Sequence, residues 1–358
     1  MVKLFIINKS VKDFWIRLPK TFKHSIKSIP SAVEGFKNRV TTFSGGLTLL
    51  CIIILSIIPL FTSNPFYLGI FIMAFIYSIY AASWDFMTGY TGLVSFGHAI
   101  FLGLAGYGTS AALRFMGYNW IAALLFGAIL SVVIGVLIAI PSLRLKGPYL
   151  ALTMLSLSMI LWYLFMMGEL SEIWPIFGSE GISRVYPLSP NPVIEYVVIF
   201  ILMILSLGIM KALGNSKFGK ILNSIRDDEK GAEASGINTS KYKILSFMTS
   251  AFFAGIAGGL FAMHNYGVDP GRFQPLYSFY PIIMVAIGGL ATISGGALGA
   301  FIFVFLNEIL LEFAEALPGL PLFVFSIILM LIIRFAERGI MRPAIERLRL
   351  LWDVLIGR

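Results

Sequence analysis

The sequence predicts an all-α polytopic membrane protein, a bundle of about ten transmembrane helices with one short helix in the cytoplasm. Three observations predict it. Of 358 residues, 58% are hydrophobic and 13% charged, and the mean hydropathy is +0.88, too apolar for a soluble domain of this length. Asp, Glu, Lys and Arg are missing from eight long intervals, 40–84, 86–113, 115–143, 147–168, 196–210, 244–268, 273–307 and 316–333. The Lys and Arg residues, finally, are gathered into segments that alternate with these intervals in the way the positive-inside rule demands.

Two intervals are too long for one crossing, since a spanning helix needs about 20 residues. The first breaks at the turn signal Ser63-Asn64-Pro65, giving spans near 43–62 and 67–88, and the other breaks near Gly288-Gly289 or Gly295-Gly296. With both breaks and an inner N-terminus, all of the 27 Lys and Arg except Arg114, Arg184 and Arg272 fall on the inner side. An odd number of spans would export the arginines from Arg334 onward. The organisation predicted is a basic, amphipathic cytoplasmic segment over 1–42, a transmembrane domain over 43–335 interrupted by a polar loop at 213–243, and a cytoplasmic tail over 336–358. The N-terminal segment holds nine Lys or Arg and no signal-peptide core, so it is expected to remain in the mature protein, with Phe5, Phe14, Trp15, Ile16 and Leu18 able to lie on an anionic leaflet. Cys51 is the single cysteine, which excludes an internal disulfide or a cysteine zinc site.

The longest polar interruption of the second half is Lys217–Lys243. Ser224 to Asp227 has helix-start spacing, Asp227, Asp228 and Glu229 put negative charge where a helix dipole is positive, and Gly236 supplies a stop. A helix too short to cross a bilayer is expected to lie in the aqueous phase, against a separate motor protein. Gly214 to Lys220 has the spacing of a phosphate loop, but Ile221 stands where Ser or Thr would hold magnesium and an apolar span precedes it. No nucleophile elbow, paired catalytic carboxylates or HExxH helix is present, so no enzyme activity and no nucleic-acid partner are expected.

Three polar or glycine-rich places lie inside the apolar part. Gly89-Tyr90-Thr91-Gly92-Leu93-Val94-Ser95-Phe96-Gly97-His98 joins two spans without a formal charge, a candidate for backbone leaving the helix at membrane depth and lining a substrate path. Gly288-Gly289-Leu290-Ala291-Thr292-Ile293-Ser294-Gly295-Gly296 echoes it, and glycine interruptions in corresponding halves point to a transport site. Glu308, Glu312 and Glu315 share a helical face near an outer mouth. His98 and His264 lie in apolar surroundings without a second ligand at metal spacing, so no metal is assigned; Asp85 is either a buried partner of His98 or an inner-surface residue.

Three blocks in order carry a resemblance: Gly89 to Ala99, then Arg144-Leu145-Lys146-Gly147-Pro148-Tyr149-Leu150-Ala151-Leu152-Thr153, then Arg226-Asp227-Asp228-Glu229-Lys230-Gly231-Ala232-Glu233-Ala234-Ser235-Gly236-Ile237. Across about residues 67–310 the chain resembles the LivM-type permeases of branched-chain amino acid ABC importers. The resemblance implies a permease subunit forming the translocation path for branched-chain amino acids, with urea, amides or nucleosides as alternatives within the wider family and a stand-alone secondary transporter as the alternative outside it. It implies a coupling helix docking on a separate ATPase through Asp227, Asp228, Glu229, Ala232, Glu233, Ala234 and Gly236, with Gly89, Tyr90, Gly92, Ser95, Gly97, His98, Gly288, Gly289, Gly295 and Gly296 along the path. In the coupling helix, small Ala232, Ala234 and Ser235 permit close approach and the charges fix register. The implied partners are two ATP-binding subunits, a second permease or another copy, an extracytoplasmic binding protein and the plasma or inner membrane, with both termini cytoplasmic. ATP and magnesium are used by the ATPase subunits, and no cofactor is bound by this chain. Phe177-Gly178-Ser179-Glu180-Gly181 departs from the glycine pair usual after the fifth span, which marks the outer loop as a place of difference.

Overall fold

The computed structural model describes residues 43–142, 145, 147–169, 176–314 and 319–335. The basic segment 1–42, Arg144, Lys146, Glu315 and the tail 336–358 lie outside the described residues, and so do the expectations attached to them. The helices are α1 (Phe43–Phe61), α2 (Pro65–Thr91), α3 (Ala99–Arg114), α4 (Trp120–Ser142), α5 (Pro148–Met166), α6 (Pro192–Asn215), α7 (Lys217–Asp227), α8 (Glu229–Ala234), α9 (Thr239–His264), α10 (Pro275–Gly288), α11 (Ile293–Ala314) and α12 (Leu320–Phe335). A two-stranded antiparallel ribbon, β1 (Ile182–Ser183) with β2 (Gly267–Val268), pairs Ile182 with Val268, and a 3-10 turn follows at Pro270–Phe273. The fold is all-α, as expected of a polytopic membrane protein.

Each of the ten predicted apolar stretches holds a helix among the described residues. Six (α2, α4, α5, α6, α9 and the Ile293–Leu311 part of α11) are long and apolar enough to cross a membrane by length and composition. At 14 residues, α10 reaches only about 21 Å, less than the roughly 30 Å hydrocarbon core. The Ser63-Asn64-Pro65 turn starts α2 as read: the Phe66 amide donates to Asn64 Oδ1 at 3.0 Å and Pro65 takes the first helical position. The later break falls at Gly288-Gly289, where α10 stops; Gly295 and Gly296 sit in the first turn of α11.

α1 belongs mainly to a unit of its own. In the unit that begins at Pro59, α2 is the hub, packed by α6, α9, α10 and α11. Every residue from Ala74 to Gly89 is buried. A second group, α3 with α4 and α9, is held at short range by small residues. Ser131 Oγ on α4 lies within reach of both the Phe101 and Ala251 carbonyls, at 3.3 and 3.2 Å. α2 and α9, among the less apolar spans, are the most buried, whereas the strongly apolar α4 and α6 leave most of their surface open, as lipid contact requires. α5 breaks this order: no more apolar than α2, it is the least buried of the six, with Tyr149, Leu152, Ser156, Ile160 and Tyr163 forming one open stripe.

A Cβ at Gly258 would fall 2.2 Å from the Leu102 carbonyl oxygen, inside the α9–α3 contact. Gly258→Val is expected to destabilise the bundle by about 3 kcal/mol, read as a lowered Tm and a lost monodisperse peak in detergent.

Candidate coupling corner and membrane-depth breaks

The polar loop folds into two consecutive helices rather than one. Ser224 lies inside α7, so its expected role at a helix start is corrected: Asp228 is the N-cap of α8, in extended conformation (φ −154°, ψ 102°), and its Oδ1 accepts from the Lys230 amide at 3.0 Å. Gly236 (φ +82°) closes α8, with its amide donating to the Glu233 carbonyl and the Ile237 amide to that of Ala232. The residues resembling a phosphate loop form the α6–α7 corner, where Ser216 Oγ accepts from the Phe218 amide at 3.1 Å. A Cβ at Gly219 would lie 2.0 Å from the Gly214 carbonyl oxygen, so the glycine is there for a tight turn.

Much of the corner's charge is satisfied within the chain. Lys243 Nζ contacts Glu229 Oε1 at 2.5 Å, the Thr239 hydroxyl donates to Glu233 Oε1 at 2.7 Å, and Arg226 pairs with Asp227 at 2.9 Å. The first two contacts tie α8 to the start of α9, and the third lies within α7. Ala232 is buried, so of the residues proposed for docking it faces inward, while Asp227, Asp228, Glu233, Ala234 and Gly236 are exposed and Glu229 is half-buried. A groove lined by Lys220, Asn223, Ser224, Asp227, Asp228, Gly231, Ala232 and Ser235 runs between α7 and α8.

Gly89 and Tyr90 finish α2, and residues 92–98 then leave the helix while remaining largely buried. Side chains satisfy the exposed backbone: the Trp84 indole donates to the Ser95 carbonyl at 2.9 Å, the Thr88 hydroxyl to that of Leu93 at 3.0 Å, and the Ala99 amide to Ser278 Oγ at 3.0 Å. Gly97 lies against Met154 of α5, whose carbonyl oxygen would be 2.1 Å from an added Cβ. The second break, residues 289–292, has the same place relative to its helices. Gly92 (φ +73°) ends α2 and Gly289 (φ +107°) ends α10. Gly288 and Gly295 touch backbone to backbone across it, so a Cβ on Gly288 would fall 1.8 Å from the Gly295 carbonyl oxygen.

The end of α2 meets the second break. A Cβ at Gly89 would lie 2.8 Å from the Ala291 backbone, and Asp85 Oδ1 accepts from the Ala291 amide at 2.7 Å. Asp85 is fully buried rather than an inner-surface residue, and one of its bonds goes to the second break, while His98 Nε2 is bonded to Ser83. His98 is also fully buried. Ser83 Oγ donates to the Tyr80 carbonyl at 2.6 Å, which leaves it to accept from His98 Nε2–H at 2.9 Å.

Three residues outside the sequence-based sites, Glu195, Arg272 and Arg226, add further contacts. Glu195 Oε1 and His264 Nδ1 are 3.1 Å apart, joining the first turn of α6 to the last of α9. Arg272 pairs with Asp269 at 2.8 Å, bonds the Tyr277 hydroxyl and lies over the Phe261 ring with 4.7 Å to its centroid. Arg226 Nη1 donates to the Gly89 carbonyl at 2.7 Å. Glu195 and Arg272 could have been found as charges bordering apolar stretches; Arg226 had no signal beyond its place in the third sequence block. Glu308 is half-buried on α11, while the side chain of Glu312 is outside the described residues. Among the described residues no group of His, Cys, Asp and Glu is placed to hold a metal ion.

No solved structure matches the chain. It is similar to the high-affinity branched-chain amino acid transport system permease protein LivM of Salmonella typhimurium, 24% identical over 344 residues that cover 86% of this chain and 79% of the relative. It is also similar to the probable branched-chain amino acid transport permease protein LivM of Methanocaldococcus jannaschii, 24% identical over 60% of this chain and 66% of the relative. A shorter match, 28% identical over 40% of this chain and 42% of the relative, is to the autoinducer 2 import system permease protein LsrC of Yersinia pseudotuberculosis. The family described as branched-chain amino acid transport system / permease component matches residues 66–333, three quarters of the sequence, and the chain belongs to that family.

Proposed function

We propose that the chain is the transmembrane permease subunit of an ATP-binding-cassette importer for branched-chain amino acids, and that α8 is where separate ATPase subunits engage it. One observation supports this most: a short capped helix, braced to α9 by Lys243–Glu229 and Thr239–Glu233, presents Ala234, Ser235 and Gly236 outward. Small exposed residues on a braced support allow a partner's backbone to approach closely. The charge distribution supports a cytoplasmic position for this corner and both termini. A binding protein delivers substrate to the opposite face, and ATP binding closes two ATPase subunits. The movement passes through α7 and α8 into α6 and α9, and the breaks at 92–98 and 289–292 line the path.

A second permease, homologous or identical, completes the importer, and the open stripe of α5 is the face we assign to it, because a span of this moderate apolarity left open to lipid is otherwise unexplained. The similarity to permeases named for branched-chain amino acid transport supports leucine, isoleucine and valine as cargo; because another relative is named for autoinducer 2 import, other solutes, urea, amides and nucleosides among them, belong in the same competition assay. The Glu195–His264 pair favours a stand-alone secondary transporter, since such transporters use ionisable pairs near the membrane. Uptake of leucine into liposomes lacking any ATPase would establish that second reading and end the first.

Ala234→Arg places a long charged side chain on the exposed face of α8 without breaking an internal bond. It is expected to weaken co-elution with the ATPase subunits by about tenfold or more while the monodisperse profile in detergent is retained. Ser156→Cys on α5 is expected to form an intermolecular disulfide with a cysteine on the partner permease, seen as a doubled mass on non-reducing gels; labelling by a lipid-phase maleimide at full rate in the assembled importer is the contrary result.

A further inference from the structure

The geometry points to Arg226 as the positioning residue that ties the docking corner to the α10–α11 break through the last turn of α2. Its guanidinium reaches in two directions. Nη1 donates to the Gly89 carbonyl at 2.7 Å, and Nε and Nη2 donate to Asp227 Oδ1 at 3.0 and 2.9 Å, next to the Asp228 cap of α8. The aliphatic stem lies along Gly92, where an added Cβ would be 3.2 Å from Arg226 Cγ. Gly89 belongs to the last turn of α2, whose carbonyls lack helical partners and carry the negative end of the helix dipole, so a cation is bound there by charge as well as by the hydrogen bond.

The other side of that turn is fixed to the second break. Gly89 packs on the Ala291 backbone, and Asp85, one turn earlier, holds the Ala291 amide at 2.7 Å. Ala291 has φ +59°, a left-handed conformation that a non-glycine residue keeps only when its surroundings impose it. The end of α2 is thus clamped between α7 and residues 289–292, with polar contacts on both sides along the chain Asp227, Arg226, Gly89, Asp85, Ala291. A displacement of the α7–α8 corner moves the α2 terminus, and the Asp85 bond carries that displacement to the junction of α10 and α11. This inference rests on the proposed function, because the displacement is the one ATPase subunits impose.

The test uses the complete importer, with its ATPase subunits, partner permease and binding protein, reconstituted in vesicles; leucine molecules transported per ATP hydrolysed is the readout. Arg226→Ala is expected to lower that ratio by about tenfold, the scale set by one charge-assisted hydrogen bond, with co-elution of the ATPase subunits retained. Arg226→Lys, which keeps the charge and one donor, is expected to recover part of it. Asp85→Ala is expected to lower the same ratio, and Arg226→Ala/Asp85→Ala to fall no further than the worse single variant, because both interrupt one chain. An unchanged ratio in Arg226→Ala, or effects of the two that multiply, overturns the inference and leaves the proposed function standing. A bond of purely structural importance would lower yield or Tm and spare the ratio, which is also an overturning result. Should Arg226→Ala not fold, Arg226→Lys is judged on the same ratio by the same criterion. A wild-type chain that engages no ATPase subunit takes down both readings.

Discussion

Unsatisfied backbone is the constraint on which this structure depends. In lipid an orphaned amide or carbonyl costs several kcal/mol, so a helix can be broken at membrane depth only where side chains replace the lost bonds. Both breaks obey this rule through residues of neighbouring elements. Trp84 and Thr88 of α2 turn back onto the strand-like segment 92–98, Ser278 of α10 takes the Ala99 amide, and Asp85 takes the Ala291 amide. α2 therefore does more than fill the core: its final two turns supply the donors and the acceptor that make both interruptions tolerable. That explains why an otherwise apolar helix carries Trp84, Asp85 and Thr88 in one buried stretch.

At the corner the same economy applies to charge. The acidic run would suggest an electrostatic docking surface, but Glu229 and Glu233 are bonded to α9, Asp227 to Arg226, and Asp228 to the backbone of α8. What remains open is shape: Ala234, Ser235 and Gly236 at the tip, and the groove beside α7. Exposed ion pairs contribute little to stability individually. Their value here is geometric: the Lys243–Glu229 pair and the Thr239–Glu233 hydrogen bond fix one short helix that has too few residues to be stable alone.

The fold was legible because its strongest cues are one-dimensional. Charge-free intervals located ten helices, Asn64-Pro65 marked a helix start, and Gly236 a helix end. The cap of α8 was misplaced at Ser224 because Ser224 and Asp228 both have capping side chains, and only the amphipathic packing of Leu222 and Ile225 against the bundle decides that the first belongs inside α7. The partner of Asp85 was illegible for a different reason. Residues 85 and 291 are joined by folding alone, and nothing in the local pattern of either distinguishes a carboxylate facing a backbone amide from one facing water. The fit of Arg226 to Gly89 is hidden in the same way, across a separation of 137 residues.

α2 also measures the molecule. Gly69, near its start, faces the His264 imidazole, where an added Cβ would be 3.8 Å from Nε2, and Gly89, near its end, takes the Arg226 bond. The two lie about 30 Å apart along the helix, the thickness of a bilayer's hydrocarbon core. Ionisable contacts gather at these two levels: Glu195 with His264 at one, and Arg226 with Asp227 at the other. Between them the buried polar groups of α2 are neutral, and Ser78, Tyr80 and Ser83 among them each donate to a carbonyl, until Asp85 is reached one turn before Gly89. A hydroxyl bonded to a carbonyl is tolerated at depth where a bare charge is not, so the spacing of charge along α2 sets where the protein can meet water on each side. Asp85 stands one turn before Gly89, so its carboxylate holds the Ala291 amide of the second break beside the end of α2 that Arg226 bonds.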